Sequence, residues 1–345
     1  MERKSILFWI RSKKKKILMS DRIIGEIIKS FQSATNILVT AHEDPDGDSL
    51  GTQLVMYDFF GSIGKNVVIR NQGRIPTRYA HINGIESVRI DSAALDFVPD
   101  LALVLESTSL ERIGKIKDLI PSGCRIINID HHTGNSLYGD INLVDEGASS
   151  VAEVVYGILI EAGFVFTKQS AEWLYTAILT DTGRFHFSST TPESLRICAE
   201  MIEAGVDPRA MTDRIYFSKS QQQMQVIGEV ISSAEVVLDG RLCALTLSKE
   251  MLEQRGLDFA DFEGIVDYSM YISSVTIGAL FKSISDDATK VSLRSRSVFD
   301  VSEIARRFGG GGHANAAGAT IKLPLDEAKE TLYRIAGEML NYNEK

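Results

Sequence analysis

Short apolar runs separated by polar turns dominate this chain, and the spacing of those runs changes about two-thirds of the way along. Ile23, Ile24, Ile27, Ile28 and Phe31 recur at helical spacing over 21–34. Ile37-Leu38-Val39-Thr40 is too short and too continuous for an amphipathic helix and predicts a buried strand. Val67 to Arg70 and Ser87 to Ile90 predict two more strands around a turn-rich stretch, and Leu101 to Leu105 and Arg125 to Ile129 two further buried ones. Between and after them, Ser49 reads as the cap of a helix to about Ser62. Ser149 and Ser150 read as caps of a helix to about Ala162, and Ala171 to Thr180 forms another. Strands alternating with helical or longer connections predict an α/β fold with a doubly wound, mostly parallel sheet. Residues 190–235 are polar and helical in pattern, with a turn at Gly205-Val206-Asp207-Pro208, and read as a helical connector. From Val236 alternating strands take over at Arg241 to Leu247, Val275 to Phe281 and Lys290 to Ser295. Asp300-Val301-Ser302-Glu303 opens a short helix to Phe308 in the manner of a capping box.

Composition bounds the class. A length of 345 residues exceeds most single domains and predicts two. The boundaries read as an extension over 1–20, a catalytic domain over 21–189, the connector over 190–235 and a smaller α/β domain over 236–345. No apolar run approaches the roughly 20 residues that span a bilayer. Cys124, Cys198 and Cys243 lack pairing or CxxC spacing, so neither a disulfide framework nor a cysteine metal site is implied, which fits a cytoplasmic setting. A net charge of −9 disfavours long duplex nucleic acid, whose binding rests on neutralising many phosphates, but leaves room for a short phosphorylated ligand. In the first twenty residues an apolar run over Ile6 to Ile10 precedes the basic run Lys13 to Lys16. That order is the reverse of a secretory signal, so a weakly structured extension is expected, with Met19 an alternative start.

The candidate chemistry lies where buried strands end. The first strand runs into His42-Glu43-Asp44-Pro45-Asp46-Gly47-Asp48, where four carboxylates and a histidine within seven residues repel one another unless a cation sits among them. Alone, this is equally a solvated acidic turn. The strand at 101–105 ends in Glu106, and the strand at 125–129 ends in Asp130-His131-His132. In doubly wound sheets ligands collect at the carboxyl ends of the strands. The predicted helix over 171–180 closes on Asp181, at the end of the helix dipole that disfavours a carboxylate, which a bound cation would explain. Asp46, Asp48, Glu106 and Asp181 supply four negative charges, enough to balance two divalent cations. Mixed imidazole and carboxylate donors suit Mn²⁺, with Mg²⁺ or Co²⁺ as substitutes.

His42-x3-Asp46-x-Asp48, an acid at the end of the next buried strand, Asp130-His131-His132 and Asp181 together resemble the DHH phosphoesterase superfamily. The resemblance implies that one metal takes His42, Asp46 and Glu106. It implies that the other takes Asp48, Glu106, His131 and Asp181, with the acid at 106 bridging. His132 would then face the substrate phosphate and Asp130 would orient the imidazoles. The chain departs from the family at Glu106, where Asp is usual, so the extra methylene must be absorbed by backbone shift or monodentate binding. The resemblance further implies a homodimer.

In the second half, Gly309-Gly310-Gly311-Gly312-His313 follows the short helix, and a small-residue segment comes after it. Such a run lets backbone N–H groups approach an anion. With Arg294 upstream it resembles the DHHA1 domain, in which Arg294, Gly310, Gly311, Gly312 and His313 would hold a nucleotide phosphate across a cleft between the domains. Arg184 and His186, close to Asp181 in sequence, are further candidate substrate contacts, and each reads equally as an exposed strand residue. Arg296 reads as a solvated strand residue. The function this implies is two-metal hydrolysis of very short oligonucleotides (dinucleotide to about pentanucleotide) to mononucleotides, with phosphatase action on 3′-phosphoadenosine 5′-phosphate (pAp). Cyclic di-AMP or linear pApA is the alternative substrate, and a catalytically silent nucleotide-binding regulator the alternative of another class. A processive RecJ-like exonuclease would need further DNA-binding domains, and a family II pyrophosphatase lacks the Gly-run-His cradle.

Overall fold

The computed structural model describes residues 22–262, 264–296 and 299–342. The extension expected over 1–20 lies outside them. Two compact units divide between Phe217 and Ser218.

In the first unit a helix over 22–33 (α1) precedes six strands: β1 (Asn36–Thr40), β2 (Asn66–Asn71), β3 (Val88–Ile90), β4 (Leu101–Leu105), β5 (Arg125–Asp130) and β6 (Ile141–Val144). They pair in the order β3-β2-β1-β4-β5-β6, every neighbouring pair parallel. The order reverses between β1 and β4, which places the crevice beyond the C-terminal ends of those two strands. Sheet alternation sorts the strand residues. Ile37, Val39, Leu103, Leu105, Ile127 and Ile129 enter the main core, whereas Leu38 and Val104 pack with Ile113 and Ile116 on the opposite face. The main core is closed by α2 (Gly47–Ser62), α3 (Val151–Glu161), α4 (Lys168–Asp181), α5 (Pro192–Glu203) and α6 (Pro208–Tyr216).

Two glycines let α2 and α4 touch. A Cβ on Gly47 would lie 2.7–2.8 Å from the Cγ2 and Cβ of Thr180. One on Gly51 would strike the Trp173 carbonyl and lie 3.0 Å from the Ala177 Cβ. Any larger residue at either position would push the helices apart. Their closeness brings the start of α2 to the end of α4, and so Asp46 and Asp48 toward Asp181.

The second unit carries a mixed sheet, order β11-β12-β10-β9-β8-β7, from β7 (Glu235–Val237), β8 (Leu242–Leu247), β9 (Ile277–Ser285), β10 (Ala288–Ser295), β11 (Gly311–His313) and β12 (Ala316–Ile321). Only β8 and β9 run parallel. One face packs on α9 (Ser302–Arg306) and α10 (Leu325–Tyr342), the other, over β8 and β9, on α7 (Gln221–Ser232) and neighbouring turns. A short helix, α8 (Lys249–Glu253), follows β8. The helices over 190–235 are therefore shared, with α5 and α6 in the first unit and α7 in the second. The capping box expected from Asp300 and Glu303 does not form: Val301 stands at the N-cap of α9, and the Asp300 carboxylate accepts from the Ser302 N–H at 2.8 Å.

Candidate active site

The acids and imidazoles at the switch point come from several elements, and backbone and side-chain groups together hold them. Asp46, not Ser49, is the N-cap of α2. Its Oδ1 accepts from the N–H groups of Asp48 and Ser49, both at 3.1 Å. The Ser49 hydroxyl donates instead to Oε2 of Glu106. Asp48 is wholly buried. Its Oδ2 accepts the Val151 N–H at 2.6 Å and its Oδ1 the Ala152 N–H at 3.1 Å, so it closes the N-terminus of α3 from a distant part of the chain. Thr52 donates to the same Oδ1.

Glu106 follows β4 in a left-handed conformation (φ 53°) and is 2% exposed. Left-handed backbone is uncommon for a residue with a Cβ and marks a position fixed by its surroundings. Asp44 (φ 54°) does the same in the acidic turn, where its Oδ1 accepts the Arg74 N–H, so this acid braces the loop.

At the end of β5, Asp130 Oδ1 accepts from the backbone N–H groups of His131 (2.8 Å) and His132 (3.1 Å) and from His132 Nδ1 (2.8 Å). Asn135 donates to its Oδ2 at 2.7 Å. The Asp130 carboxylate thus orients His132. His131 takes its orientation from the Ala148 carbonyl, which lies 3.3 Å from Nδ1, and this turns Nε2 toward Asp181 Oδ2 at 3.4 Å.

The side chains gather into two groups. In His42, Asp46 and Glu106, and again in Asp48, His131 and Asp181, one donor atom from each residue lies within 4.8 Å of the others. His42 Nε2 stands 4.0 Å from Glu106 Oε2. Burial pushes the Glu106 and Asp181 carboxyls well above their ordinary range, and the charges of the neighbouring acids push them further. Burial also raises Asp48, to about 6, with Asp46 adding to the rise against the opposing pull of His131 and the α3 amides. Burial works to raise Asp46 as well, but His42, the Ser49 N–H, His132 and Arg78 together bring it below its ordinary value. Burial likewise works to raise Asp130, but its bonds to His132 and Asn135 bring it down to about 2. Burial holds His132 below the usual imidazole value, with the Asp130 bond opposing. A nest of carboxylates that raise one another's pKa is relieved by positive charge, and one imidazole with two carboxylates in each group is a donor set suited to a divalent ion. The residues therefore fit a pair of metal ions.

Arg184 is exposed on a turn whose Gly183, Arg184 and Phe185 are all left-handed. Its guanidinium lies 4.7 Å from the Tyr216 ring centroid. Arg78, not singled out from the sequence, lies 4.6 Å from the Tyr79 ring and 6.0 Å from that of Tyr216, and its charge reaches Asp46. Only its place in a turn-rich stretch could have flagged it. Ser49 and Asn135 were also legible as residue types but not as partners.

In the second unit Arg294 stands on β10, with Nε 2.9 Å from Asp267 Oδ1. The glycine run is only half a loop: Gly311 and Gly312 lead with His313 into an edge strand paired to β12. A Cβ on Gly310 would strike the Gly318 carbonyl and lie 2.6 Å from the Ala319 Cβ, whereas one on Gly311 would meet nothing within 4 Å. Gly310 thus serves close packing, and Gly311 leaves the surface open. Arg296 is a brace, donating to the carbonyls of Met270 and Ser273.

Residues 36–178 match the DHH family, N-terminal domain, and residues 239–340 match the DHHA1 domain. The bifunctional oligoribonuclease and PAP phosphatase NrnA of Thermus thermophilus is 32% identical over 92% of this chain and 94% of its own. An exopolyphosphatase-related protein from Bacteroides fragilis has a crystal structure that superposes with a TM-score of 0.85 at 27% identity, covering 92% of this chain and 96% of that one. RecJ of Thermus thermophilus, solved in complex with Mn²⁺, shares the fold at 12% identity and a TM-score of 0.50, over 94% of this chain and 54% of its own. The strand-end acids, the Asp130-His131-His132 turn and the similarity to these proteins together make this chain a member of the DHH family carrying a DHHA1 domain.

Proposed function

We propose that the protein is a two-metal phosphoesterase that hydrolyses very short oligonucleotides to mononucleotides and also acts on pAp. The observation that carries this reading is the pair of three-residue donor groups at the switch point between β1 and β4. His42, Asp46 and Glu106 would hold one ion and Asp48, His131 and Asp181 the other. Glu106 feels the charge of acids from both groups, which supports a shared role. When bound, a pair of divalent ions neutralises charge on the phosphoryl oxygens and lowers the pKa of an attacking water. Mn²⁺ suits the donors, with Mg²⁺ or Co²⁺ as substitutes.

The chain's own residues supply orientation. Asp130, ionised throughout the neutral range, accepts the Nδ1 proton of His132 and so fixes the tautomer that presents Nε2 to a substrate phosphate. His131 directs Nδ1 to the Ala148 carbonyl, which leaves Nε2 as the atom that would ligate a metal. Arg184 and Arg78 bring positive charge to the substrate's phosphates in an otherwise acidic chain. Arg294, Gly311 and His313 of the second unit anchor a nucleotide phosphate. The three cysteines are unbridged, in keeping with a cytoplasmic enzyme, and no helix of the described residues is long and apolar enough to cross a membrane.

The test is Mn²⁺-dependent turnover by the purified protein of pApA, pAp, cyclic di-AMP and a 24-mer. Turnover of pApA and pAp that EDTA abolishes is the expected result, and the cyclic substrate distinguishes linear from cyclic preference. Preference for the 24-mer would overturn the short-substrate reading. No turnover of any of the four would favour a nucleotide-binding regulator.

A further inference from the structure

The second unit's sheet is covered on one face throughout but on the other only in part. Cys243, Leu245, Leu247 and Leu280 of β8 and β9 pack beneath α7 and the turns around Phe262 and Ile265. Farther out on the same face, Ser292, Arg294, Ala316, Gly318, Gly311 and His313 are half-buried or exposed. His313 pairs directly with Ala316, Ala316 with Arg294, and Arg294 with Gly278. Directly paired residues share a face, so Arg294 and His313 point the same way across two strand spacings of about 4.8 Å each, with only a methyl group between them.

The next position in that row, Gly278, is roofed. A Cβ there would strike the Ser269 hydroxyl and lie 2.7 Å from the Met270 sulfur, so the 3₁₀ helix Ile265–Tyr271 rests directly on the strand. Asp267 of that helix binds Arg294, Arg296 holds the carbonyls of Met270 and Ser273, and the Ser269 hydroxyl closes on the Val266 carbonyl. On this braced turn stand Tyr268 and Tyr271, 36% and 73% exposed, with ring centroids 5.4 Å apart and planes inclined at 51°. Two phenol rings thus stand exposed on the turn that Asp267 ties to Arg294.

We propose that Tyr268 and Tyr271 form a stacking surface for the base of the nucleotide whose phosphate Arg294 and His313 hold, making this unit a nucleoside monophosphate subsite rather than a bare phosphate clamp. The inference rests on the proposed role of the cradle, and it selects ligands that carry a base. Stacking of one base on an aromatic side chain changes affinity by about 5- to 150-fold on alanine substitution.

The test is titration of the full-length protein, in EDTA, with AMP and with ribose 5-phosphate. The wild type is expected to prefer AMP by a factor in that range. The Tyr268→Ala/Tyr271→Ala protein should bind AMP no better than ribose 5-phosphate, with affinity for the sugar phosphate unchanged, and Tyr268→Phe/Tyr271→Phe should keep the preference. If the double alanine protein does not fold, Tyr271→Ala alone carries the comparison, since that ring is mostly in solvent. Equal wild-type affinity for the two ligands, no binding of AMP, or an alanine variant that keeps the preference or weakens both ligands alike would overturn the proposal. Because the titration needs neither metal nor turnover, its outcome is separate from that of the hydrolysis assay.

Discussion

Lowering the pH should weaken metal binding by an amount that the geometry of Asp48 sets. In the metal-free protein this carboxyl has a pKa of about 6 against an ordinary 3.8, chiefly because it is buried. At about pH 7.5 it is ionised and ready to bind a cation, whereas at about pH 5 roughly ten in eleven copies carry a proton that the ion must displace. That competition reduces apparent affinity about tenfold, or ~1.4 kcal/mol, from Asp48 alone. Glu106 and Asp181, both raised well above their usual range by burial and neighbouring acids, add to the loss in the same direction. Asp130, near 2, stays ionised across this interval and contributes nothing. Calorimetric titration of EDTA-stripped protein with Mn²⁺ at the two pH values measures the effect. A loss of at least tenfold at the lower pH is expected, and Asp48→Asn should bind more weakly at about pH 7.5 with a shallower dependence. Affinities that agree within about twofold, or that improve as pH falls, would refute the electrostatic reasoning.

His132→Ala should leave Mn²⁺ affinity within about threefold while lowering kcat by about 10²- to 10⁴-fold, and His131→Ala should lose metal first; titration and steady-state kinetics separate the two. Glu106→Asp should keep measurable activity but shift the ratio of Mn²⁺- to Mg²⁺-supported rates, because the shorter side chain gives up the Ser49 hydroxyl; an unchanged ratio would count against a direct ligand role. Gly51→Leu should destabilise the protein by about 1–3 kcal/mol or more in urea unfolding, since the new side chain meets the backbone of α4. Gly310→Ala should lower stability in the same assay, whereas Gly311→Ala, with open space around it, should leave stability unchanged and act only on substrate affinity.

The strands that end at the crevice were legible because a parallel strand buried on both faces is a nearly unbroken apolar run, as in Leu101 to Leu105 and Ile126 to Ile129. The acids and imidazoles stood out against those runs. The partners of each side chain were not legible. Ser49 has the composition of a cap, but Asp46 takes that place and the hydroxyl turns to Glu106, a choice made by the approach of β4 rather than by local preference. That Asp48 closes α3 depends on contact across 103 positions of sequence. The strand over Ala316–Ile321 carries mostly small residues and offers no alternation to read, and β9 runs on to Ser285 because pairing with β10 sustains its polar end. The glycine run suggested a loop, whereas β12 recruits half of it as an edge strand. Arg296 has the look of a solvated residue until its carbonyl partners arrive from a turn more than twenty residues away.

The ligand role proposed for Asp48, alongside its bonds to α3, bears on how the centre would tell one ion from another. Both of its oxygens are already engaged by amides of α3, so the group is preorganised and pays little conformational entropy when a cation arrives. Selectivity would then come from ionic radius and preferred coordination number, because a carboxylate pinned in this way cannot swing to accommodate a larger guest. Amide exchange at Val151 and Ala152 should slow on occupancy, giving a spectroscopic readout of the centre from a helix that contributes no ligand of its own.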